Sequence, residues 1–320
     1  MSTKKITIED IAREANVGIG TVSRVLNNSI HVSDATRKRV LEVVQKLQYT
    51  PSGAATKLAR RVEQETIVGL LLPDIGNRYF FEIFETIYRE FRKQGIDIII
   101  FNYEKHNPLV IQRILDAQLS ALLIFAFQLD KTEKLLLRQR NIRYIYIDLH
   151  SEDDHCMYTN NEKGGELAAK YLLSKGSKTP CYVSVDPSSL VNEQRLKGFT
   201  KVLHQNNITE IPIYTSQLDE HVAYEVGKMI VSEKRCDGVF CYCDEIATGV
   251  ASAIRESGSS MRLIGFDGLR QMKYVGLSTV SQTPKTIGVR AVEQTVKLIE
   301  ELPSHITQIE IDPILVDRDS

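Results

Sequence analysis

An α/β core of two doubly wound lobes, carrying an N-terminal all-α helix-turn-helix domain, is the fold class this sequence predicts. Three observations predict it. From Thr66 onward, continuous apolar runs of strand length alternate with amphipathic helical stretches, the pattern of parallel sheets covered on both faces. Before that, Thr7 to Asn27 (TIEDIAREANVGIGTVSRVLN) reads as two short amphipathic helices joined by a tight turn. The charge also divides: residues 1–60 hold ten Lys/Arg against five Asp/Glu, although the whole chain has 40 against 41. A basic head on an acidic body suits a chain of which only the head meets a polyanion.

In the head, Thr7 is a good N-cap with Asp10 at the capping-box position. Ile8, Ile11, Ala12 and Ala15 then recur on one helical face. Asn16-Val17-Gly18 makes the turn, and Val22, Val25 and Leu26 form the stripe of the next helix. That stripe leaves Ile19, Gly20, Thr21, Ser23 and Arg24 outward, within reach of base edges and phosphates. The competing reading of this stretch is an ordinary helical hairpin. Ser33 is positioned to cap a third helix with Val40, Leu41, Val44 and Leu47 inward, and Pro51 closes the head by biasing Thr50 away from helix. Residues 52–61 (SGAATKLARR) are small and basic, with Leu58 as their one large apolar side chain. So short a segment cannot hold a helix alone in water, and it is expected to order only against DNA or a partner chain.

The division is therefore 1–51 for the helix-turn-helix domain, 52–65 for a hinge and 66–320 for the core. Predicted strands are 67–72, 97–101, 121–127, 143–147, 181–185, 238–243 and 262–266. Predicted helices lie near 79–94, 108–118, 131–140, 162–174, 192–206, 219–233, 244–257 and 284–302. A core of this length fits two lobes, the first about 66–160 plus 284–302 and the second about 161–283 plus 303–320. Ligands in such folds bind beyond the carboxyl ends of the strands, here in the cleft between lobes. On the helix at 79–94, Phe80, Ile83, Phe84, Ile87 and Phe91 form a core stripe. Phe81 and Tyr88 form a second stripe that packs either lobe against lobe or subunit against subunit.

Other chemistries leave no signature. Gly18-Ile19-Gly20-Thr21-Val22-Ser23 superficially matches a dinucleotide fingerprint, but a helix precedes it where that fingerprint needs a strand. There is no P-loop, no G-x-S-x-G and no H-E-x-x-H, so an enzyme is not expected. Five cysteines form no disulfide framework, and Cys241/Cys243 lack a companion cluster, so neither metal nor cofactor is expected. The sequence has no apolar run of roughly 18 residues and no signal-peptide core, which points to a cytoplasmic protein without a membrane span.

The stretches TIEDIAREANV, TVSRVLN and HVSDATRKRVLEVVQKLQYTP resemble, in order and spacing, the head of the LacI/GalR (lactose-repressor) family of bacterial transcription regulators. VGLLLPDIGNRYF, NEQRLKGF, CDEIATG, IGFDG and STVSQ extend the resemblance along essentially the whole chain. The resemblance implies a three-helix DNA-binding head, a hinge helix in the minor groove and a periplasmic-binding-protein-like core. It implies a homodimer on near-palindromic double-stranded operator DNA, acting as a repressor. A small-molecule effector, a sugar or sugar-like metabolite, would change lobe closure, hinge spacing and so operator affinity. A nucleoside-like effector or a phosphoprotein partner, as catabolite-control members use, remains an alternative.

Matched residue by residue, Ile19 and Gly20 stand at base-reading positions, and Arg24 and Asn27 in the helix signature. Thr7, Thr21, Ser23 and His31 match phosphate-contacting or orienting positions, and Leu58 the hinge wedge that kinks DNA. Arg195 and Asp267 match the main effector contacts of the second lobe, with Asp244 and Gln282 in neighbouring motifs. Tyr79, Phe80 and Asp148 match cleft-facing positions of the first lobe. Without the family pattern, Arg195 reads equally as a surface residue bridged to its own helix.

There are departures. Gly18 replaces the usual Ser cap, Gly20 brings no side chain to a base, and Ser52, Thr56 and Lys57 replace the usual hinge Asn, Arg and Ser. Leu218 stands where several members place a ligand-stacking aromatic, and the chain has no Trp.

Overall fold

The computed structural model describes residues 6–26, 31–47, 49, 66–74, 76–104, 107–185, 190–301 and 305–320. The hinge 52–65, with Leu58, and Asn27 lie outside the described residues. The chain divides into two compact units, Met1–Glu65 and Thr66–Ser320.

The first unit holds α1 (Ile8–Glu14), α2 (Ile19–Leu26) and α3 (Asp34–Lys46). Thr7 and Asp10 close a capping box at the start of α1, with the Thr7 amide donating to Asp10 Oδ2 at 2.9 Å. The turn after α1 is a Schellman motif with Asn16 in the left-handed position (φ 50°). The Val17 amide reaches Ala12 O at 3.0 Å and the Asn16 amide reaches Arg13 O at 3.3 Å, satisfying carbonyls that the helix end orphans. Ile11, Ala12, Ala15, Val22, Val25, Val40 and Val43 form the buried core of this unit. Leu41, expected inward, is instead 47% exposed, and Val43 takes its place. Counted from Val40, the helical face runs through 43, 44 and 47, so Leu41 lies about 100° off it.

In the second unit, β1 (Ile67–Leu72), β2 (Asp97–Asn102), β3 (Ala121–Phe125), β4 (Arg143–Ile147), β5 (Cys156–Thr159) and β11 (Gln308–Ile311) build one parallel sheet. Its order is β11-β5-β4-β3-β1-β2. The second sheet, β12-β10-β9-β8-β6-β7, contains β6 (Pro180–Ser184), β7 (Ile213–Thr215), β8 (Gly238–Cys241), β9 (Arg262–Asp267), β10 (Ser278–Ser281) and β12 (Ile314–Val316). It is parallel except for β12, which runs against β10. Helices α4 (Arg78–Lys93), α5 (Pro108–Asp116), α6 (Lys131–Gln139) and α12 (Pro284–Glu300) go with the first lobe. Helices α7 (Asn161–Ser174), α8 (Leu190–Gln205), α9 (Glu220–Glu233), α10 (Asp244–Ser257) and the short α11 (Met272–Val275) go with the second.

The chain crosses between lobes after β5, after β10 and between β11 and β12. This corrects the expected boundary, which gave all of 303–320 to the second lobe. Gln308–Ile311 pairs with β5 in the first sheet, and the chain returns only at Asp312-Pro313. The strands not foreseen (β5, β7, β10, β11 and β12) are three or four residues long, too short to show a period. Phe81 and Tyr88 are 55% and 47% exposed, so lobe-to-lobe packing does not cover their stripe.

Candidate functional site

The cleft site is built where strand ends of both sheets meet. Arg195 sits on α8, whose backbone is brought against α7 by two glycines. A Cβ on Gly165 would stand 2.0 Å from Arg195 O, and one on Gly198 would stand 1.9 Å from Glu162 O. Only hydrogen at both positions permits this approach, and it places Arg195 beside the start of α7. Arg195 Nε donates to Asn161 Oδ1 at 2.9 Å, and Nη1 to Tyr242 O at 2.6 Å. The guanidinium lies 3.6 Å from the Phe266 ring centroid and 4.7 Å from that of Tyr242. Arg195 is therefore buried, and the reading of it as a surface residue bridged to its helix does not hold.

Asp267 ends β9, 3.8 Å from Arg195 Nη1. It adopts φ 113°, a backbone conformation unusual for a residue with a side chain. The neighbours hold it there. Gln282 donates to it twice, from Nε2 to Oδ1 at 2.8 Å and from its amide to Asp267 O at 3.1 Å. Gly268 follows at φ 81°, where a Cβ would stand 2.1 Å from Ser281 Oγ. Asp244 Oδ2 accepts from the Gly268 amide at 2.9 Å and the Leu269 amide at 2.8 Å. Asp244 was expected among the effector contacts. It is fully buried; its Oδ2 holds the loop that follows Asp267, while its Oδ1 has no hydrogen-bond partner among the described residues.

From the first lobe, Asp148 follows β4 and faces the same charges. Burial pushes its carboxyl up to about 7, with Arg195 opposing and Asp267 reinforcing the rise. Burial likewise pushes Asp267 up to about 6, against the pull of Arg195 and Gln282. Tyr79, in the first turn of α4, is buried; desolvation, Asp148 and Asp267 keep its phenol protonated. Asp244 Oδ1 and Gln282 Oε1 are buried without a hydrogen-bond partner among the described residues, as are Tyr79 OH and Thr159 Oγ1, whose side chains act on one another, and a polar occupant, water or ligand, would relieve the cost. Phe80 packs edge-on against Phe125 at 5.8 Å and belongs to the core cluster. A cavity of about 770 Å³ opens alongside, with Asp148, Thr159, Asn161 and Gln194 in its wall. Of the expected effector residues only Asp148 lines it; Arg195 is joined to its wall through Asn161.

Asn161, Tyr242 and Phe266 were not among the sequence candidates. Phe266 lay inside the quoted IGFDG stretch, but nothing in sequence separated it from a core aromatic.

In the head, Ile19 is 49% exposed and Gly20 borders open space. Arg24 and His31 are exposed, while Thr21 and Ser23 are half-buried. The Thr7 hydroxyl lies 2.9 Å from Asp10 Oδ2, inside the capping box. The Gly18 carbonyl accepts from the Thr21 and Val22 amides at 2.8 and 3.2 Å, starting α2 without a side-chain cap at that position. The exposed face thus begins with one apolar side chain and a bare backbone.

Among the described residues no three His, Cys, Asp or Glu side chains are grouped to hold a metal, and no helix is long and apolar enough to cross a membrane.

Comparison with known proteins covers both units. Residues 7–52 match the profile "Bacterial regulatory proteins, lacI family", and residues 68–302 match the periplasmic binding protein domain. The chain is 29% identical over 334 residues to the HTH-type transcriptional repressor PurR of Actinobacillus pleuropneumoniae serotype 3, covering 98% of each. It resembles in fold a LacI-family regulator from Silicibacter pomeroyi (TM-score 0.78, 23% identity, 98% of this chain and 99% of that one). It is also similar to the lac repressor dimer bound to operator and the anti-inducer ONPF (TM-score 0.76, 22% identity, 99% of each chain).

Proposed function

The chain belongs to the LacI/GalR family of bacterial transcription regulators, and from that premise we propose that it is a repressor whose hold on operator DNA is set by a small molecule in the inter-lobe cleft. The carrying observation is the convergence of Asp148, Arg195 and Asp267 from two lobes beside four buried polar atoms that lack a hydrogen-bond partner among the described residues. Such a site gains most when a ligand supplies the missing partners, and a ligand that touches both lobes favours one lobe arrangement over another. A sugar or sugar-like metabolite suits these hydroxyl, carboxylate and guanidinium groups.

The head reads near-palindromic double-stranded DNA as half of a homodimer. Ile19, Gly20, Thr21, Ser23, Arg24, Asn27 and His31 meet the operator, Thr7 orients the first helix, and Leu58 enters the minor groove. Phe81 and Tyr88, 55% and 47% exposed on α4, supply the kind of apolar face a second copy covers. The protein works in the cytoplasm and catalyses no reaction. The lac repressor, crystallised with operator and anti-inducer together, lends support as a relative in fold that takes both ligands.

The test is a selection of operator from a random duplex pool, followed by fluorescence anisotropy with and without metabolites that raise the melting temperature. A ligand-dependent change in operator affinity supports the reading. Specific DNA binding that no cleft ligand alters would refute it.

A further inference from the structure

We propose that five charged side chains form a latch between the lobes and set the arrangement of the ligand-free core: Glu82 and Glu85 of the first lobe on Arg270 of the second, and Arg78 of the first on Glu220 of the second. Only the consequence for operator affinity rests on the function proposed above.

The sequence supplies the pattern. Arg78, Glu82, Glu85 and Arg89 stand at i, i+4, i+7 and i+11 on α4, so they share one helical face. Such a stripe is ordinarily a solvated face with ion pairs inside the helix, and Arg89 fits that, 3.6 Å from Glu85. The other three reach across to the second lobe. Glu82 Oε1 accepts from the backbone amide of Arg270 at 2.7 Å, and the Glu82 side chain is only 16% exposed. The Arg270 guanidinium donates from Nη2 to Glu85 Oε2, and its Nε lies 3.8 Å from Glu82 Oε1. One turn earlier the polarity reverses: Arg78 Nη1 donates to Glu220 Oε1 on α9 at 2.6 Å. Burial pushes up the carboxyl of Glu245, on α10, and Arg78 opposes that rise.

The position of these ties decides what they can do. Arg270 follows Asp267 by three residues, and Glu82 follows Tyr79 by three. Within the loop 268–270, Asp244 of the second lobe holds the amides of Gly268 and Leu269, and Glu82 of the first lobe holds the next amide, that of Arg270. Parting the lobes therefore breaks the Glu82 bond or pulls the loop away from Asp244. An exposed ion pair adds little to folding, but a bond made in one lobe arrangement only multiplies that arrangement's population, by up to about fivefold for one such pair.

The experiment uses the full chain without ligand. Nitroxide labels go on Leu135→Cys in the first lobe and Met229→Cys in the second, both exposed sites, while the five native cysteines are buried. Labelled chain is mixed with excess unlabelled chain, so that pulsed dipolar spectroscopy reads distances within one chain. Arg270→Gln should raise the population of longer lobe-to-lobe distances about fivefold. Adding Glu85→Gln should open the core no further, since losing one partner already removes the pair. Glu82→Ala should also open it, and Glu82→Gln, which keeps an acceptor for the Arg270 amide, should open it less. Raising salt from about 0.05 M to about 1 M should shift wild type the same way. Wild-type distances in both Arg270→Gln and Glu82→Ala, or effects of Arg270→Gln and Glu85→Gln that simply add, would overturn the latch. Operator affinity, read on the duplex selected above, separates the two claims. Altered distances with unaltered operator affinity would uphold the latch and refute transmission from lobes to head.

Discussion

The head and the cleft are two recognition surfaces built by opposite means. The head draws its reading face from one stretch of sequence, exposes it to water and holds it on a core of seven small and β-branched side chains. The cleft gathers residues from Tyr79 to Gln282, buries them and fixes them by bonds across 34 and 47 residues of sequence. Surface recognition of a polyanion needs charge and reach, which short-range sequence supplies. Recognition of a small molecule needs desolvated, pre-aimed groups, which only tertiary structure supplies.

Arg24→Ala tests the first half and should have the largest effect. Operator affinity should fall on the order of 100-fold, with the core's melting temperature and any cleft ligand's affinity unchanged. Loss of ligand affinity as well would break the separation between the two surfaces.

Gly198→Ala tests the second half. Its new Cβ would press on Glu162 O at 1.9 Å, so the α7–α8 contact must open and carry Arg195 away from Asn161. Urea denaturation should show a loss of about 2–3 kcal/mol. Wild-type stability in that variant would mean the glycines do not set the position of Arg195.

Asp148 probes the cleft's burial through pH. Its carboxyl is raised from 3.8 to about 7, so the folded state binds a proton that the unfolded chain releases. The stability tied to this group is present at low pH and is lost as pH rises through about 4 to 7. Asp148 borders a cavity wall, which moderates the effect. Asp148→Asn should flatten this part of the profile and stabilise the chain at pH 8 by about 1–2 kcal/mol. An unchanged difference between pH 5 and pH 8 would show that the carboxylate is well solvated.

The smallest effect sharpens the contrast between glycines. Gly20 borders open space on the exposed start of α2. Gly20→Ala should raise head stability by roughly 0.5–1 kcal/mol, as helix propensity dictates, while Gly198→Ala lowers that of the core. A destabilised Gly20→Ala head would show that the face of α2 is already occupied.

How far the sequence could be read follows the same division. Thr7, Asp10 and Asn16 act within four residues of their partners, so the capping box and turn of the head were legible locally. Arg195, Asp148 and Asp267 were named only through family resemblance. Asn161, Tyr242 and Phe266, which hold the guanidinium, carry no local mark of their role. Asp244 was named from its motif alone, since the backbone amides its Oδ2 accepts from lie 24 and 25 residues away, beyond any local pattern. The four-residue β11 escaped notice because an edge strand reading Gln-Ile-Glu-Ile has too few residues to distinguish it from a loop.

The central claim is that occupancy of the cleft is transmitted to the head. Its most direct measurement is operator affinity by fluorescence anisotropy, with and without a ligand that raises the melting temperature, in wild type and Asp267→Asn. The account predicts a ligand-dependent change of about tenfold or more in wild type. It predicts none in Asp267→Asn, which should still bind operator when ligand-free. An equal change in both proteins, or saturated wild type with unaltered operator affinity, would contradict it.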